Sequence, residues 1–146
     1  MAELIEYNNK NRDREMPYFD QELFDQAQAK GPLTEKKYLD ARAACLKLTR
    51  AEGIDAVIAK HKVDAIVTLT NGPACLIDQV NGDQDIPSCS MPAAVAGYPH
   101  ITVPAGLFRG LPIGLSFFST AWTEPTLIKL AYGFETATRA RVRPRV

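Results

Sequence analysis

The side chains of this chain that could attack or ligate are few. Ser88-Cys89-Ser90 sets two hydroxyls around a thiol, and Thr70-Asn71-Gly72 follows a compact apolar run. There are three cysteines, Cys45, Cys75 and Cys89, and two histidines, His61 and His100. A nucleophilic thiol or hydroxyl needs a base beside it, and no sequence separation here pairs a thiol with an imidazole. Free thiols are mostly small buried apolar groups. His100, just ahead of an apolar run, reads as a packed structural ring. No two of these residues sit at zinc-ligand spacing, so no metal is expected. Gly114-Leu115-Ser116-Phe117-Phe118 lacks the second glycine of a nucleophile elbow and reads as strand. Thr70-Asn71-Gly72-Pro73 reads as a strand-ending turn, and Ser88 and Ser90 as loop hydrogen-bonding residues. The residues thus assign no catalytic group and no cofactor.

Composition narrows the partners. The chain has 146 residues, with 17 basic and 17 acidic side chains and a formal net charge of zero. That is one domain's length with ordinary globular usage. It gives no global pull toward nucleic acid or anionic membrane. No apolar run reaches the roughly 18 residues a spanning helix requires, and Met1–Asn11 does not read as a signal peptide. An odd cysteine count at irregular spacing argues against a disulfide framework and for a reducing cytoplasm. Arg139, Arg141, Arg143 and Arg145 fit a solvated tail at a helix C-terminus better than an RNA contact.

The elements that must position these residues follow from periodicity. Glu3–Asn8 predicts a short helix, and residues 8–17 a loop. Asp20 predicts an N-cap for a helix ending at Gly31. A longer helix is expected from about Leu33 to Glu52, with an apolar stripe of Tyr38, Ala41, Cys45 and Leu48, and Gly53 as its stop. Ile54–Lys60 suggests a further short helix. Asp64–Leu69 predicts a buried strand. A long irregular stretch follows, with a turn at Asn81-Gly82-Asp83. Pro92–Ala96 reads as one helical turn. Ile101–Val103 and Ile113–Phe118 predict antiparallel strands joined by residues 104–111. Thr123, Glu124 and Pro125 open a last helix whose buried face is Leu127, Leu130, Ala131, Phe134 and Thr138. The order predicts an α/β fold with a small mixed sheet flanked by helices, its edges in need of cover.

Residues 97–114 carry more than secondary structure. Gly97-Tyr98-Pro99-His100-Ile101-Thr102-Val103-Pro104-Ala105-Gly106, running into Gly110-Leu111-Pro112-Ile113-Gly114, resembles the "GxPxxxxPxG…GLPxGL" pattern of the amidase signature family. Glu3–Asn8, Pro17–Phe24, Tyr38–Ala44 and Thr123–Glu135 resemble further segments of that family, in order. The resemblance covers nearly the whole chain as a partial amidase-signature fold, a single C-terminal portion over residues 1–146 with the N-terminal catalytic portion absent. It implies hydrolysis of carboxamides by a serine nucleophile in a Ser–Ser–Lys arrangement. The "GGSSGG"-type stretch that would hold it has no counterpart here, so no catalytic residue carries over.

In that family the loops matching Thr70–Cys75 and Ile86–Pro92 lie close to substrate. The resemblance therefore makes Thr70, Asn71, Gly72, Ser88, Cys89 and Ser90 candidate substrate-binding residues. Pro87 falls where the tRNA-dependent amidotransferases of the family carry a glutamine-gripping aspartate, which favours a general amidase. The expected role is scaffold and pocket wall for a small-molecule amide substrate, inactive without the N-terminal portion. The alternative is a non-catalytic module that self-associates as a homo-oligomer. Neither reading involves nucleic acid, membrane, metal or cofactor.

Overall fold

A computed structural model describes residues 1–82 and 86–143. At its centre, β2 (His100–Phe108) and β3 (Leu111–Phe118) form an antiparallel hairpin. Arg109 and Gly110 make the turn with φ of 51° and 83°. Two positive φ angles define the turn whose twist matches the strands it joins. The expected connection over 104–111 is therefore mostly strand. Pro104 is tolerated because β2 lies at a sheet edge, and a bulge between Pro104 and Gly106 absorbs Ala105.

β1 (Ile66–Leu69) pairs with the other side of β3, giving the three-stranded order β1-β3-β2. The α/β class stands, but the mixed sheet is corrected. β1 and β2 run the same way with β3 between them, so both pairings are antiparallel. The hairpin already fills one side of β3 and leaves β1 the other.

Strand alternation sorts side chains onto two faces. One face presents Ile101, Val103, Leu115 and Phe117 to Leu127, Leu130, Ala131 and Phe134 of α7 (Glu124–Thr138). The Phe117 and Phe134 rings meet edge-on at 6.2 Å. Thr138, expected on that buried stripe, is exposed past the sheet. Thr123 precedes the helix, but its hydroxyl donates to Thr120 O instead of capping. The other face presents Ile66 and Phe118 to Ile54, Ile58, Ala93 and Ala96. β1 is less covered than its apolar run predicts: Val67 and Leu69 are 50% and 55% exposed. α7 lies over β2 and β3 and leaves β1 bare on that side.

The N-terminal helices are α1 (Ala2–Lys10), α2 (Arg12–Glu15) and α3 (Glu22–Gln28), so the loop expected over 8–17 contains a helical turn. Gln21, not Asp20, occupies the N-cap of α3. Its buried amide is fully used: Nε2 donates to Ile5 O and Asn9 Oδ1, and Oε1 accepts from Asn8 Nδ2. The Asp20 carboxylate takes Arg12 and the Gln21 N–H, and these bonds, Arg12 first, hold its pKa below the usual aspartate value.

α4 (Lys36–Thr49) ends at Arg50, and a kink over Arg50–Ile54 separates it from α5 (Asp55–His61), so the helix breaks close to the expected stop. Gly53 marks a kink at φ −111° and ψ −108°. A Cβ there would lie 2.5 Å from Leu48 O, so glycine at this break is also needed for close approach. The stripe Tyr38, Ala41, Cys45 and Leu48 is not buried; α4 has no buried residue. The segment is held at its end instead. Arg50 Nε donates to Ala96 O at 2.7 Å, its guanidinium lies over the Tyr98 ring, and Ile54 enters the core. The turn placed at 81–83 begins at Asp78, whose carboxylate accepts the Val80 and Asn81 N–H groups. Asp83 and Arg145 lie outside the described residues.

Candidate functional site

The site forms where β1 ends. The N–H of Thr70 donates to Gly114 O at 2.8 Å, carrying the sheet one residue past Leu69. Thr70 O then accepts the Cys89 N–H at 3.1 Å, and Asn71 and Ser88 form an isolated antiparallel bridge. Segments 70–72 and 88–90 are thereby clamped together although a long irregular stretch separates them. α6 (Ser90–Ala96) starts directly afterwards and ties the second segment to the core through Ala93 and Ala96.

All the candidate binding residues meet at this junction, in two environments. Asn71, Gly72, Ser88 and Cys89 line a cavity of about 370 Å³ together with Thr68, Leu69 and Pro87. Ser90 lies beside it, its hydroxyl 3.0 Å from that of Ser88. Thr70 turns the other way. Its Oγ1 is 2.8 Å from Ser116 Oγ, which is in turn 3.0 Å from Thr102 Oγ1. This hydroxyl cluster crosses the sheet on one face. Ser116 at its centre is fully buried. Gly114 makes room for it, since a Cβ there would lie 2.7 Å from Thr70 Oγ1 and 2.8 Å from Thr102 Cγ2.

Sequence reasoning missed Ser116 and Thr102 as part of this site. The signal was present in the alternation. Thr68 and Thr102 both stand opposite Ser116 in the register, which puts their side chains on one face. A pairing of Cys89 with His61 or His100 has no support in the sequence spacing, yet His100 Nε2 lies 3.8 Å from Cys89 Sγ. The His100 ring stands edge-on to Phe118, opposite which it sits in the ladder. His61 lies on the exposed last turn of α5, and Cys45 and Cys75 are exposed.

The chemistry of this junction is hydrogen bonding. An Asn amide, serine hydroxyls and strand-end backbone groups around a small hollow suit a polar, uncharged ligand group such as a carboxamide. No lysine, histidine or carboxylate is within hydrogen-bonding distance of Ser88 or Ser90 among the described residues. Neither hydroxyl has the base an attacking serine requires. A larger hollow of about 600 Å³ opens between α1 and α3, lined by Ile5, Glu6, Asn9 and Asp25 among others. It holds no thiol, hydroxyl or imidazole, so size alone does not mark the site. Among the described residues no group of three or more His, Cys, Asp or Glu could hold a metal, and no helix is long and apolar enough to cross a membrane.

No family profile matches the chain. Individual proteins do. The chain is 33% identical to a probable amidase of Arabidopsis thaliana over 147 aligned residues, 99% of this chain and 25% of the relative. It is 36% identical to a glutamyl-tRNA(Gln) amidotransferase polypeptide of Clostridium acetobutylicum, over 71% of this chain and 23% of that one. The native peptide amidase of Stenotrophomonas maltophilia superposes with a TM-score of 0.89 at 42% identity, over 99% of this chain and 29% of that one. A peptide amidase bound to the competitive inhibitor chymostatin gives a TM-score of 0.93 at 44% identity, covering 99% and 30%. These relatives are amidases and amidotransferase subunits of the amidase signature family, and the chain is similar to a C-terminal portion of them. It spans about 25% to 30% of the length of the relatives it matches over nearly its whole length.

Proposed function

We propose that this chain is the scaffold and pocket-wall portion of an amidase that hydrolyses carboxamide carbon–nitrogen bonds, and that it is inactive by itself. The observation that carries this is the convergence of Asn71, Gly72, Ser88 and Cys89 on one hollow at a strand end, with Thr70 and Ser90 beside them. They supply hydrogen-bonding groups, and neither serine has a base beside it. Attack on an amide needs both an activated nucleophile and an oxyanion site, so the reading puts these on the portion that larger relatives carry in addition. Bare apolar surface supports such a partner. Leu76, Ile77 and Val80 are 90%, 85% and 91% exposed, and the outer edge of β1 is unpaired in the described sheet. Identity to peptide amidases over the whole chain favours peptide-amide or similar small amides over glutamine bound for tRNA. Three free cysteines fit a reducing cytoplasm.

The test uses the purified chain alone and mixed with a polypeptide matching the N-terminal portion of the Stenotrophomonas peptide amidase. Ammonia release from a peptide amide is expected from the mixture and not from the chain. Release by the chain alone, blocked by a serine-directed reagent, would overturn the reading. The same β1 edge and exposed apolar residues favour a second reading, a self-associating module. A stable homodimer that refuses the N-terminal polypeptide would establish it instead.

A further inference from the structure

We infer that Cys89 and His100 form a thiol–imidazole pair that makes Cys89 a site of mixed-disulfide formation with small-molecule disulfides. The Sγ–Nε2 separation of 3.8 Å is within reach of a sulfur hydrogen bond. Both partners are fixed in place. Cys89 is tethered by its N–H to Thr70 O, and the His100 ring is seated against Phe118 at 5.8 Å and 88°. Cys45 and Cys75 are exposed, and neither has an imidazole within hydrogen-bonding distance among the described residues. Cys89 also lines the cavity of about 370 Å³, which gives an incoming disulfide a place to lie.

The reaction balances within the pair and its co-reactant. The Cys89 thiol gives its proton to His100 Nε2, and the thiolate sulfur attacks one sulfur of the disulfide. A bond forms between Cys89 and that sulfur while the original sulfur–sulfur bond breaks. The departing thiolate takes the proton back from His100. Cys89 is oxidised and the small disulfide is reduced to one thiol plus the adduct. The adduct stands among Asn71, Gly72 and Ser88, so occupancy of the hollow becomes redox-dependent. This inference does not rest on the amidase reading, since it needs no amide substrate.

Exposure and pairing make opposite predictions, which sharpens the test. Purified chain is treated with glutathione disulfide, and adducts on each cysteine are timed by peptide mass spectrometry. Cys89, the least exposed thiol, is expected to react at least about tenfold faster than Cys45 or Cys75, a modest effect for a positioned base. That preference should vanish in urea, where the pair is separated. In a Cys45→Ser, Cys75→Ser background, His100→Gln should slow the reaction at Cys89 by a similar factor. Should His100→Gln fail to fold, the native-against-urea comparison on the wild-type chain decides. Equal rates at the three cysteines in the native chain would overturn the inference. So would a folded His100→Gln variant reacting at the wild-type rate.

Discussion

Thr70 and Ser116 touch through their hydroxyls at 2.8 Å, 46 residues apart in sequence. This contact fixes the end of β1 to the middle strand at the point where the candidate site begins. Ser116 is fully buried and also bonds Thr102. Ser116→Ala removes one hydrogen bond from Thr70 and one from the exposed Thr102, which keep their mutual contact at 3.4 Å, and should cost about 0.5–1.5 kcal/mol. Urea denaturation of the variant against wild type measures it. A change below about 0.5 kcal/mol would show that water replaces the serine without loss.

Gly53 should not accept alanine. The added Cβ would stand 2.5 Å from Leu48 O, a backbone atom held inside α4, so relief requires the kink between α4 and α5 to move. The expected loss is about 1–3 kcal/mol by thermal unfolding. If Gly53 merely ended a helix in open space, alanine there would be nearly neutral.

The two faces of α7 should respond differently to the same truncation. Leu127 is 1% exposed against Val103 and Phe117, whereas Ile128 is 59% exposed. Leu127→Ala is expected to cost about 2–5 kcal/mol, and Ile128→Ala about 0.5 kcal/mol or less. Comparable losses in denaturant would mean that a partner surface covers Ile128 in solution.

Alkaline stability should depend on Tyr98. Burial first, then its hydrogen bond to Asp55, raises the phenol pKa above that of a free tyrosine. A raised folded value means the stabilisation is complete below the unfolded pKa of about 10 and fades as pH climbs through the folded value. Unfolding free energy measured from pH 8 upward should fall for wild type by more than for Tyr98→Phe. Parallel curves would contradict the assignment.

Much of this architecture is legible in local sequence, for reasons that can be named. The final helix is readable because Leu127, Ala131 and Phe134 recur at helical spacing and Pro125 suits a first turn. The hairpin strands are readable from β-branched and aromatic runs, but their length is not. Pro104 and Pro112 look like breakers, but edge placement and a bulge let β2 continue past Pro104, and β1 pairs with β3 only from Leu115 onward, clear of Pro112. Gly53 is ambiguous because a helix stop and a close approach both call for glycine. The stripe on α4 misleads because periodicity names an apolar face without saying whether anything packs on it.

Residue identity and short-range spacing suffice for the family resemblance, for the α/β class, and for reading the 70–72 and 88–90 segments as turn and loop. They do not reveal that β3 lies between β1 and β2, that Thr70, Thr102 and Ser116 share one hydroxyl cluster, or that Cys89 meets His100. Those relations appear only in the folded chain, because they depend on strand register. A shift of one residue would send the strand side chains to the opposite face, and register is set by the packing of the whole sheet rather than by any segment of it.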